Sequence, residues 1–371
     1  MIYFDNAATG GVKPENVVGA AAAAMRACAN PGRSGHALSL ACAERVQKVR
    51  GMLCEFFGAP SSDRVVFTKN CTEALNIALL GCIKEGDKVV TTVAEHNSVL
   101  RPLKHLESSG VAVRYAPLTR SGDIDIRTLS DMAQGACAVV VTLASNVTGA
   151  APDIAAVRQA IPADALLICD GAQACGHQKI DISALGIDAL AVAGHKGMMG
   201  IQGSGALIMS ARCHPRPLMF GGTGSASYDL DMPDFYPDRL EAGTLSYPAI
   251  VSLGEGVLWL STRLYENRDY LVYLTDKLLH GLEEIPFVTL YSRTNPFGIV
   301  AFDVRGMPSE EVAERLSREH GICVRGGLHC APLMHGALGT SGLVRASLSP
   351  FNTAGEVEYF LKAVRGLHAC A

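Results

Sequence analysis

Four apolar segments of the sequence end in residues that can do chemistry. They read FTKNCTEA, TVAEHNSV, LICDGAQA and AVAGHKG, and each passes from an apolar run into polar or glycine-containing sequence. Open parallel sheets bind ligands at the carboxyl ends of their strands, so we expect these four ends to share one edge of a sheet. Each end taken alone is equally consistent with ordinary loop residues.

Lys196 is a candidate nucleophile at one of these ends. It follows an apolar run and a glycine in GHKGMMG, where a lysine leaving a buried strand is partly desolvated. Desolvation lowers the pKa of an amine, which makes it nucleophilic toward an aldehyde. The alternative is a solvent-exposed lysine in a glycine-rich loop.

Asp170 ends the run ALLICD and is a candidate partner for a cation. A pyridinium nitrogen is such a cation, and its pairing with a carboxylate keeps the ring an electron sink. Gln173, three residues further on, could reach a phenolic oxygen of the same ring. The alternative for Asp170 is a helix cap or a turn.

The remaining two ends predict a phosphate site and a stacking group. Cys71 and Thr72 open an apolar helix after a strand, where free backbone N–H groups and the Thr72 hydroxyl can hold phosphate. An ordinary capping sequence is the alternative. His96 could stack on an aromatic cofactor and transfer protons, or it could be structural. An amine, a carboxylate and a phosphate site together predict pyridoxal phosphate, carried on Lys196.

The elements that must position these residues follow an α/β rhythm. Runs rich in β-branched residues alternate with helical stretches, and Gly, Pro, Asp or Asn marks each break. The predicted strands are Val65–Thr68, Lys88–Val93, Val111–Pro117, Ala136–Ser145, Leu166–Asp170, Leu190–Gly194 and Ala206–Ser210. The predicted helices among them are Leu38–Phe57, Thr72–Ile83, Ser98–Ser108 and Ile154–Ala160.

From about Ser246 onward the pattern changes and predicts a second, smaller α+β unit. The expected helices are Ser246–Thr262, Glu266–Leu282, Ser309–His320 and Thr353–Leu367. The expected strands are Val288–Tyr291, Gly298–Val304, Cys323–Gly326 and Leu343–Ser349. We therefore expect a large α/β domain over 15–245 and a small α+β domain formed by 1–14 and 246–371. No repeat or low-complexity linker separates them, which favours tight packing.

Composition excludes several classes of function. The 371 residues are 49% hydrophobic and 18% charged, enough for a large core in a water-soluble protein. With 32 basic against 36 acidic residues and a net charge of −4, no basic field is available for nucleic acid. MIYFDNAATG lacks the features of a signal peptide, and no run of about 18 apolar residues could span a bilayer. We expect a cytoplasmic protein without a metal centre.

The cysteines favour a reducing compartment. Twelve of them are dispersed along the chain, mostly in apolar runs, and none forms a C-x-x-C pair. A disulfide framework is typical of short secreted chains instead. Most of these thiols are expected to be small buried side chains.

Eight short motifs, in order, carry a resemblance that covers essentially the whole chain. They are YFDNAAT, NCTEALN, EHNSV, DGAQ, GHK, RLEAGT, RGGLHC and VRASLSPFNT. With them the chain resembles the class V aminotransferase family of fold-type I pyridoxal-phosphate enzymes, and in particular its cysteine desulfurase and selenocysteine lyase branch. The resemblance implies a large, mixed but mostly parallel sheet and a smaller α+β domain.

The resemblance also implies roles around the cofactor. Lys196 would be the Schiff-base lysine, Asp170 the partner of the pyridinium nitrogen, and Gln173 a neighbour of the phenolic oxygen. His96 would stack on the ring, and Asn146 would approach the phenolic oxygen or the substrate carboxylate. The implied phosphate ligands are Cys71, Thr72, His195 and, from a second subunit, Thr244. A ligand from a second subunit implies a homodimer with shared active sites.

The resemblance further implies how substrate is bound. Arg345, on a predicted strand, would hold the substrate carboxylate with two parallel hydrogen bonds; without the resemblance, a surface arginine is an equally open alternative. Arg325, Asn6 and Ala7 would line the same cleft. L-Cysteine is the implied substrate.

Cys330 decides the implied reaction. It lies in RGGLHCAPLMHG, a loop composition, and a thiol in a mobile, partly exposed loop near cations can ionise and reach a bound substrate. Among twelve cysteines it could also be incidental. The resemblance implies that Cys330 takes the sulfur of L-cysteine as a persulfide, releasing L-alanine, and that a sulfur-acceptor protein then removes it.

Two departures from the family pattern bear on these expectations. Ala193 stands where relatives commonly have a hydroxyl residue, so one phosphate ligand is missing or replaced. The loop reads GGLHC where sulfur-mobilising relatives more often have TGHHC, and segment 221–238 has no assigned role. Selenocysteine lyase, another class V lyase or transaminase, and a non-catalytic scaffold are the alternatives.

Overall fold

The computed structural model describes residues 1–367, and its elements alternate between strands and helices along most of that range. The strands are β1 (Ile2–Tyr3), β2 (Val65–Thr68), β3 (Lys88–Thr92), β4 (Ala112–Ala116), β5 (Ala138–Thr142), β6 (Leu166–Asp170), β7 (Ala189–Ala193), β8 (Gly205–Met209), β9 (Val288–Leu290), β10 (Ile299–Val304), β11 (Ile322–Cys323) and β12 (Val344–Ser347). The helices are α1 (Glu15–Arg26), α2 (Ala37–Phe57), α3 (Cys71–Cys82), α4 (Asn97–Ser108), α5 (Ile126–Ala133), α6 (Ile154–Ala160), α7 (Ile182–Leu185), α8 (Tyr247–Glu283), α9 (Ser309–His320), α10 (Pro332–Leu338) and α11 (Ala354–Gly366).

Within the described residues, seven strands form one mixed sheet in the order β2-β8-β7-β6-β5-β3-β4. The pairings β7/β6, β6/β5, β5/β3 and β3/β4 are parallel, and only β8 runs against its two neighbours. Strands buried on both faces read as continuous apolar runs. The predicted α/β class with a large, mostly parallel sheet is therefore confirmed.

Each face of this sheet is covered by its own apolar cluster. One cluster joins Leu53 and Phe57 of α2 to Leu253 of α8 and to one side of the strands. The other joins Leu75 of α3 and Leu103 of α4 to the opposite side. A parallel sheet with both faces covered by helices must bind its ligands at an edge, outside the carboxyl ends of the strands.

A third apolar cluster lies around two smaller sheets of the described chain. β12, β10 and β9 pair antiparallel, and β1 pairs parallel with β11. Phe302 and Phe360 belong to the core between these strands and the helices α8, α9 and α11. The N-terminal strand is thus bonded to residues more than 300 positions away. The domain boundaries at 14/15 and 245/246 stay a prediction, and residues 368–371 of the predicted small domain lie outside the described range.

The predicted pair of helices after residue 246 is wrong. A single helix, α8, runs from Tyr247 to Glu283. The expected break between Thr262 and Glu266 contains neither glycine nor proline, and Leu264 within it is buried. The apolar stripe of the helix therefore continues through that point.

Other differences are shorter. The predicted strand Cys323–Gly326 is a two-residue strand, Ile322–Cys323, followed by an isolated bridge between Arg325 and Arg345. Sequence patterns also missed β1, α1, α5, α7 and α10. No described helix has the length and apolar character needed to cross a membrane.

Candidate functional site

Five strand ends meet at one edge of the large sheet. β2, β3, β5, β6 and β7 point the same way, because β8 alone is reversed between β2 and β7. The residues that follow them include Cys71, His96, Asn146 and Lys196, and Asp170 is the last residue of β6. The sheet therefore brings the four predicted strand ends to one place.

Asp170 lies at the centre of this edge and is 2% exposed. Its Oδ1 accepts hydrogen bonds from the Ala172 N–H at 2.9 Å and the Cys71 thiol at 3.4 Å. Its Oδ2 accepts a long one, 3.5 Å, from the Ser98 hydroxyl. Within residues 1–367 no arginine, lysine or histidine forms a salt bridge with it. Buried charges in proteins are normally paired, so this carboxylate is a candidate binding site for a cationic group of a ligand.

Lys196 is half-buried beside Asp170, and its Nζ has no hydrogen bond among the described residues. Burial lowers its pKa, while the charges of Asp170 and Cys71 partly oppose this effect. The backbone around it is tightly placed, because a Cβ at Gly197 would lie 2.4 Å from the Cys175 carbonyl oxygen. The structure thus favours the desolvated amine over the exposed lysine in a flexible loop.

His96 caps the N-terminus of α4 and lies beside Asp170. Its Nδ1 accepts the backbone N–H of Ser98 at 3.0 Å, so the proton of the neutral ring is on Nε2. Burial lowers the pKa of His96, which keeps the ring neutral. The Ser98 hydroxyl lies 2.8 Å from the same Nδ1 and 3.5 Å from Asp170 Oδ2, and its one hydrogen can serve either acceptor but not both at once.

The N-terminus of α3 lies next to these groups. Asn70 is its cap and accepts the Glu73 N–H at 2.9 Å, which leaves the N–H groups of Cys71 and Thr72 without a partner among the described residues. The Cys71 thiol points to Asp170, and Thr72 is exposed. Free N–H groups at the start of a helix attract an anion such as phosphate.

His195 is held by the N-terminal segment. Its Nδ1 lies 3.0 Å from the Thr9 hydroxyl, and its carbonyl oxygen accepts from the Gly10 N–H and from Lys13 Nζ at 2.7 Å. Burial, followed by the charges of Lys196 and Lys13, lowers the pKa of His195 to about 4. The ring is therefore neutral and its Nε2 is available for a ligand.

Gln173, Asn6 and Ala7 lie on the same small cavity as Lys196. Gln173 Nε2 donates to the Ala7 carbonyl oxygen at 3.1 Å. Asn6 is committed to the fold, since its amide donates to the carbonyl oxygens of Tyr3 and Ser347. Of these three, Gln173 keeps its amide oxygen free for a ring substituent.

Arg345 is the largest fully buried side chain, 1% exposed, and is not a surface arginine. Its guanidinium donates to Asp5 Oδ1 at 2.9 Å and to the Asn146 carbonyl oxygen at 2.8 Å. Its Nε is buried and has no partner in the described chain. A buried arginine with unused donors can accept a carboxylate.

Cys330 lies at the edge of the site, half-buried, just before α10. Arg325 donates to its sulfur at 3.7 Å. The Cys330 carbonyl oxygen accepts the Asn97 N–H at 2.7 Å, and Asn146 donates to the preceding carbonyl, that of His329, at 2.6 Å. These bonds connect the segment to α4 and to the end of β5, and the mobility predicted for this loop stays a prediction.

The backbone at Cys330 is in the left-handed region. His329 has φ +50° and Cys330 has φ +57°. Such conformations are uncommon outside glycine, although Asn, Asp and His adopt them more often than other residues do, and they cluster at functional sites. The two consecutive residues turn the chain so that both carbonyl oxygens meet the strand-end donors.

Thr244 is the predicted site residue that this chain does not bring to the others. It is exposed, in the loop before α8, and forms no hydrogen bond among the described residues. Its neighbour Gly243 is held by Arg33 at 2.9 Å, far along the chain from the strand ends. Ala193, the departure from the family pattern, is buried at the end of β7.

Sequence reasoning missed three residues of the site. Glu95 is fully buried, and its Oε1 accepts from the Thr92 hydroxyl at 2.7 Å and the Thr142 N–H at 3.0 Å. Burial raises the pKa of Glu95 to about 8. Asp5 pairs with Arg345, and Lys13, whose pKa burial lowers to about 8, reaches His195. Asp5 and Glu95 lie inside the motifs YFDNAAT and EHNSV, which was the available signal, whereas Lys13 lies four residues after the first motif.

Comparison with known proteins identifies relatives over nearly the full length. Residues 2–360 match the aminotransferase class V family model. A probable cysteine desulfurase of Methanothermobacter thermautotrophicus is 35% identical over 342 residues, covering 89% of this chain and 85% of that protein. A cysteine desulfurase of Enterobacter sp. strain 638 is 30% identical and covers 99% and 93%.

Solved structures give the same result for the fold. The apo structure of a cysteine desulfurase from Thermococcus onnurineus superposes with a TM-score of 0.92 at 31% identity, covering 100% of this chain and 95% of that one. An S-sulfonic acid form of a cysteine desulfurase from Escherichia coli gives a TM-score of 0.87 at 28% identity, covering 98% and 93%.

Proposed function

The chain belongs to the class V aminotransferase family, and from this premise we propose that it is a pyridoxal-phosphate-dependent cysteine desulfurase. It would remove sulfur from L-cysteine, release L-alanine and keep the sulfur as a persulfide on Cys330. The observation that carries the proposal is that Asn97, after β3, and Asn146, after β5, tie the Cys330 segment to the same edge of the sheet at which Lys196 and Asp170 lie.

The residues present fit pyridoxal phosphate. Lys196 offers a free amine for the aldehyde, and Asp170 is a buried carboxylate without a cationic partner in the described chain. The N–H groups of Cys71 and Thr72 and the neutral ring of His195 would hold the phosphate. The ring would lie under His96, with Gln173 at its phenolic oxygen. When bound, the cofactor supplies an electron sink for the α-carbon of the substrate.

Lys196 is the proton-transfer group of this proposal. Burial lowers its pKa, which favours the neutral amine that can take the α-proton. Asp170 holds the opposite charge close by and limits how far that pKa falls. The same amine would return the proton during turnover.

Arg345 would bind the substrate carboxylate. Its Nε and the unused hydrogens of its terminal nitrogens remain available beside the bonds to Asp5 and Asn146. Binding there places the α-carbon on the side of the site that Cys330 borders. Arg325 donates to the Cys330 sulfur and places a positive charge beside it.

The sulfur-transfer step uses Cys330 as nucleophile. Its thiolate attacks the sulfur of L-cysteine, so that an S–S bond forms while the Cβ–S bond of the substrate breaks. The electron pair of the broken bond stays with the carbon skeleton, which is protonated and leaves as L-alanine. A separate sulfur-acceptor protein would then take the terminal sulfur from Cys330.

A sulfur label on Cys330 tests the proposed reaction. The purified protein is incubated with L-cysteine and mapped by mass spectrometry, and we expect one added sulfur atom on Cys330. Borohydride reduction should fix a pyridoxyl group on Lys196. Cys323→Ala, which removes another half-buried thiol, is the matched control and should change neither result.

Substitution of Cys330 distinguishes the candidate substrates. Cys330→Ala should lose alanine formation from L-cysteine, while alanine formation from L-selenocysteine, whose selenium leaves more readily, should persist. Full retention of turnover on L-cysteine would show that Cys330 is not the nucleophile. Absence of the pyridoxyl group on Lys196 would refute the cofactor assignment.

The exposed position of Thr244 supports a homodimer with shared sites. Thr244 would reach the phosphate of the other subunit. Mixing Lys196→Ala and Thr244→Ala chains tests this, because one site of a mixed dimer would then carry neither substitution. Activity at limiting cofactor should reappear in the mixture, whereas a threonine acting within its own chain would give no recovery.

A further inference from the structure

Two cysteines lie together on the side of the large sheet away from the predicted nucleophile. The Sγ atoms of Cys82, the last residue of α3, and Cys213, in the loop after β8, are 3.8 Å apart. Among the cysteines that the structure describes, this is the pair whose sulfur atoms contact each other. The two residues are 131 positions apart in the sequence.

The backbone holds these two cysteines close together. The Arg216 N–H donates to the Gly81 carbonyl oxygen at 3.0 Å, and the Arg216 guanidinium donates to the Ile83 carbonyl oxygen at 3.2 Å. A Cβ at Gly81 would lie 2.6 Å from Pro215 Cβ, so glycine is required for this approach. The end of α3 and the loop 213–216 therefore form one bonded unit, with the sulfur atoms facing each other.

The environments of the two thiols differ in a way that orders their reactions. Cys82 is half-buried, whereas Cys213 is fully buried and its carbonyl oxygen is held by Arg64 at 3.1 Å. The hydrogen bond from the Cys213 thiol, together with the His214 N–H and the Arg216 charge, lowers the pKa of Cys82. The same hydrogen bond raises the pKa of Cys213. Cys82 is thus the more accessible of two thiols that share one hydrogen bond, in which either sulfur can be the donor.

Cys137 is the nearest competitor and is chemically unsuited. Burial and the carboxylate of Asp87 raise its pKa to about 12, so its thiol stays protonated. Low pKa, access to solvent and an adjacent resolving thiol are the features of oxidant-sensitive cysteines. Only Cys82 with Cys213 combines them among the described cysteines.

We propose that Cys82 and Cys213 are a reversible oxidation site that a hydroperoxide converts into a disulfide. The Cys82 thiolate attacks a peroxide oxygen, so that an S–O bond forms, the O–O bond breaks and hydroxide leaves. The hydroxide takes the proton of Cys213, whose sulfur then attacks the Cys82 sulfur. The S–S bond forms as the S–O bond breaks, and the departing hydroxide takes up the proton that Cys82 released on ionising and leaves as water. Two thiols and one hydrogen peroxide give one disulfide and two waters.

The geometry requires little movement for this step. The sulfur atoms approach from 3.8 Å to the disulfide bond length of about 2.05 Å. A dithiol reductant reverses the reaction by thiol–disulfide exchange. The site is remote from the chemistry proposed for Cys330, so the inference holds whatever the substrate of the enzyme is.

Peptide mapping of the oxidised protein tests the proposal. The reduced, cofactor-loaded protein is treated with stoichiometric hydrogen peroxide, alkylated and digested without reductant. We expect a linked peptide joining residues 82 and 213, the loss of two alkylatable thiols and full recovery with dithiothreitol. Cys28→Ser, which removes an exposed thiol, is the matched control and should leave the linked peptide unchanged.

Substitution of each cysteine separates the attack on peroxide by Cys82 from the formation of the disulfide by Cys213. Cys213→Ala should block the link and leave Cys82 as a sulfenic acid that a cyclic 1,3-diketone traps. Cys82→Ala should block both the link and the trapped product. The proposal is overturned if the wild-type protein keeps Cys82 and Cys213 reduced while Cys28 is oxidised, or if Cys82 is linked to Cys137 instead. The wild-type result decides the matter even if a variant does not fold.

Discussion

The strand-end side of the candidate site and its C-terminal side carry opposite charges. The strand-end side, formed by Glu95, His96, Ser98 and Asp170, is dominated by one buried carboxylate and two neutral groups. The C-terminal side is formed by Arg325, Arg345, His329 and Cys330 around two guanidinium groups. Lys196 lies between them. The charge of Asp170 raises the pKa of its amine, whereas the charges of Arg345 and Arg325 lower it.

This difference determines what each side can bind. A cationic ring nitrogen matches Asp170, and an anionic substrate carboxylate matches Arg345. The two sides also differ in construction: neighbouring strand ends form the first, whereas in the second Arg345 is held by Asp5, 340 residues away in the sequence. A site with opposite poles fixes the direction in which an amino acid lies across the ring.

Lys196→Ala removes the group between the two poles and should have the largest effect. General-base catalysis is worth about 10²–10⁴-fold, and the loss of the covalent anchor for the cofactor adds to it. We expect alanine formation to fall by about 10⁴-fold or more at saturating cofactor. Lys179→Ala, at an exposed lysine that donates to the Phe56 carbonyl oxygen, is the control and should retain activity. Near-normal turnover in Lys196→Ala would place the base elsewhere.

Glu95→Gln tests whether the strand-end side holds a single negative charge. The pKa of Glu95 is raised to about 8, above its ordinary value, so the folded protein binds this proton more tightly than the unfolded chain does. Its contribution is fully present below about pH 4.5 and is lost as pH rises toward 8, at a cost of about 5 kcal/mol.

The measurement is the urea midpoint of both proteins from pH 5 to pH 9. Glutamine mimics the protonated carboxyl, so Glu95→Gln should lack this part of the decline, and the two curves should diverge as pH rises. Other titrating groups act equally in both proteins and cancel. Parallel curves would mean that Glu95 is ionised in the folded protein and that the strand-end side holds two charges.

How far the sequence predicts this site depends on how local each signal is. Asp170 and Lys196 were predictable because an apolar strand ending in a polar residue is visible within eight positions. Asp5 was not singled out, since its pairing with Arg345 joins residues 340 apart. Glu95 was missed because the sequence shows a polar strand end but not its complete burial.

The same limit explains the errors in the fold. The strands of the large sheet were predicted to within about two residues at most ends, because turn residues flank them. The continuous helix α8 was divided in two because its burial at Leu264 comes from tertiary packing. The anchoring of Cys330 by Asn97 and Asn146 is likewise a long-range effect that loop composition does not report.

Arg345→Ala tests the C-terminal pole. The substitution leaves the buried Asp5 without its partner and also removes the partner of the substrate carboxylate. We therefore expect kcat/KM to fall by about 10²-fold, which corresponds to about 3 kcal/mol of transition-state stabilisation. Most of that loss should appear in KM. Arg305→Ala, at an exposed arginine, is the control and should leave KM unchanged. An unchanged KM in Arg345→Ala would mean that this arginine only pairs with Asp5 and does not bind the substrate.

Ser98→Ala should give the smallest effect and sharpens the comparison at the strand-end pole. Its hydroxyl lies 2.8 Å from His96 Nδ1 but 3.5 Å from Asp170, so the second contact is a weak hydrogen bond. The His96 ring keeps the Ser98 backbone N–H in the variant, and only one neutral hydrogen bond is lost, worth about 1 kcal/mol or fivefold in activity. Because Ala172 still donates to Asp170, the absorption maximum of the bound cofactor should not shift. A shifted maximum would show that Ser98, and not the backbone, sets the charge that the ring nitrogen meets.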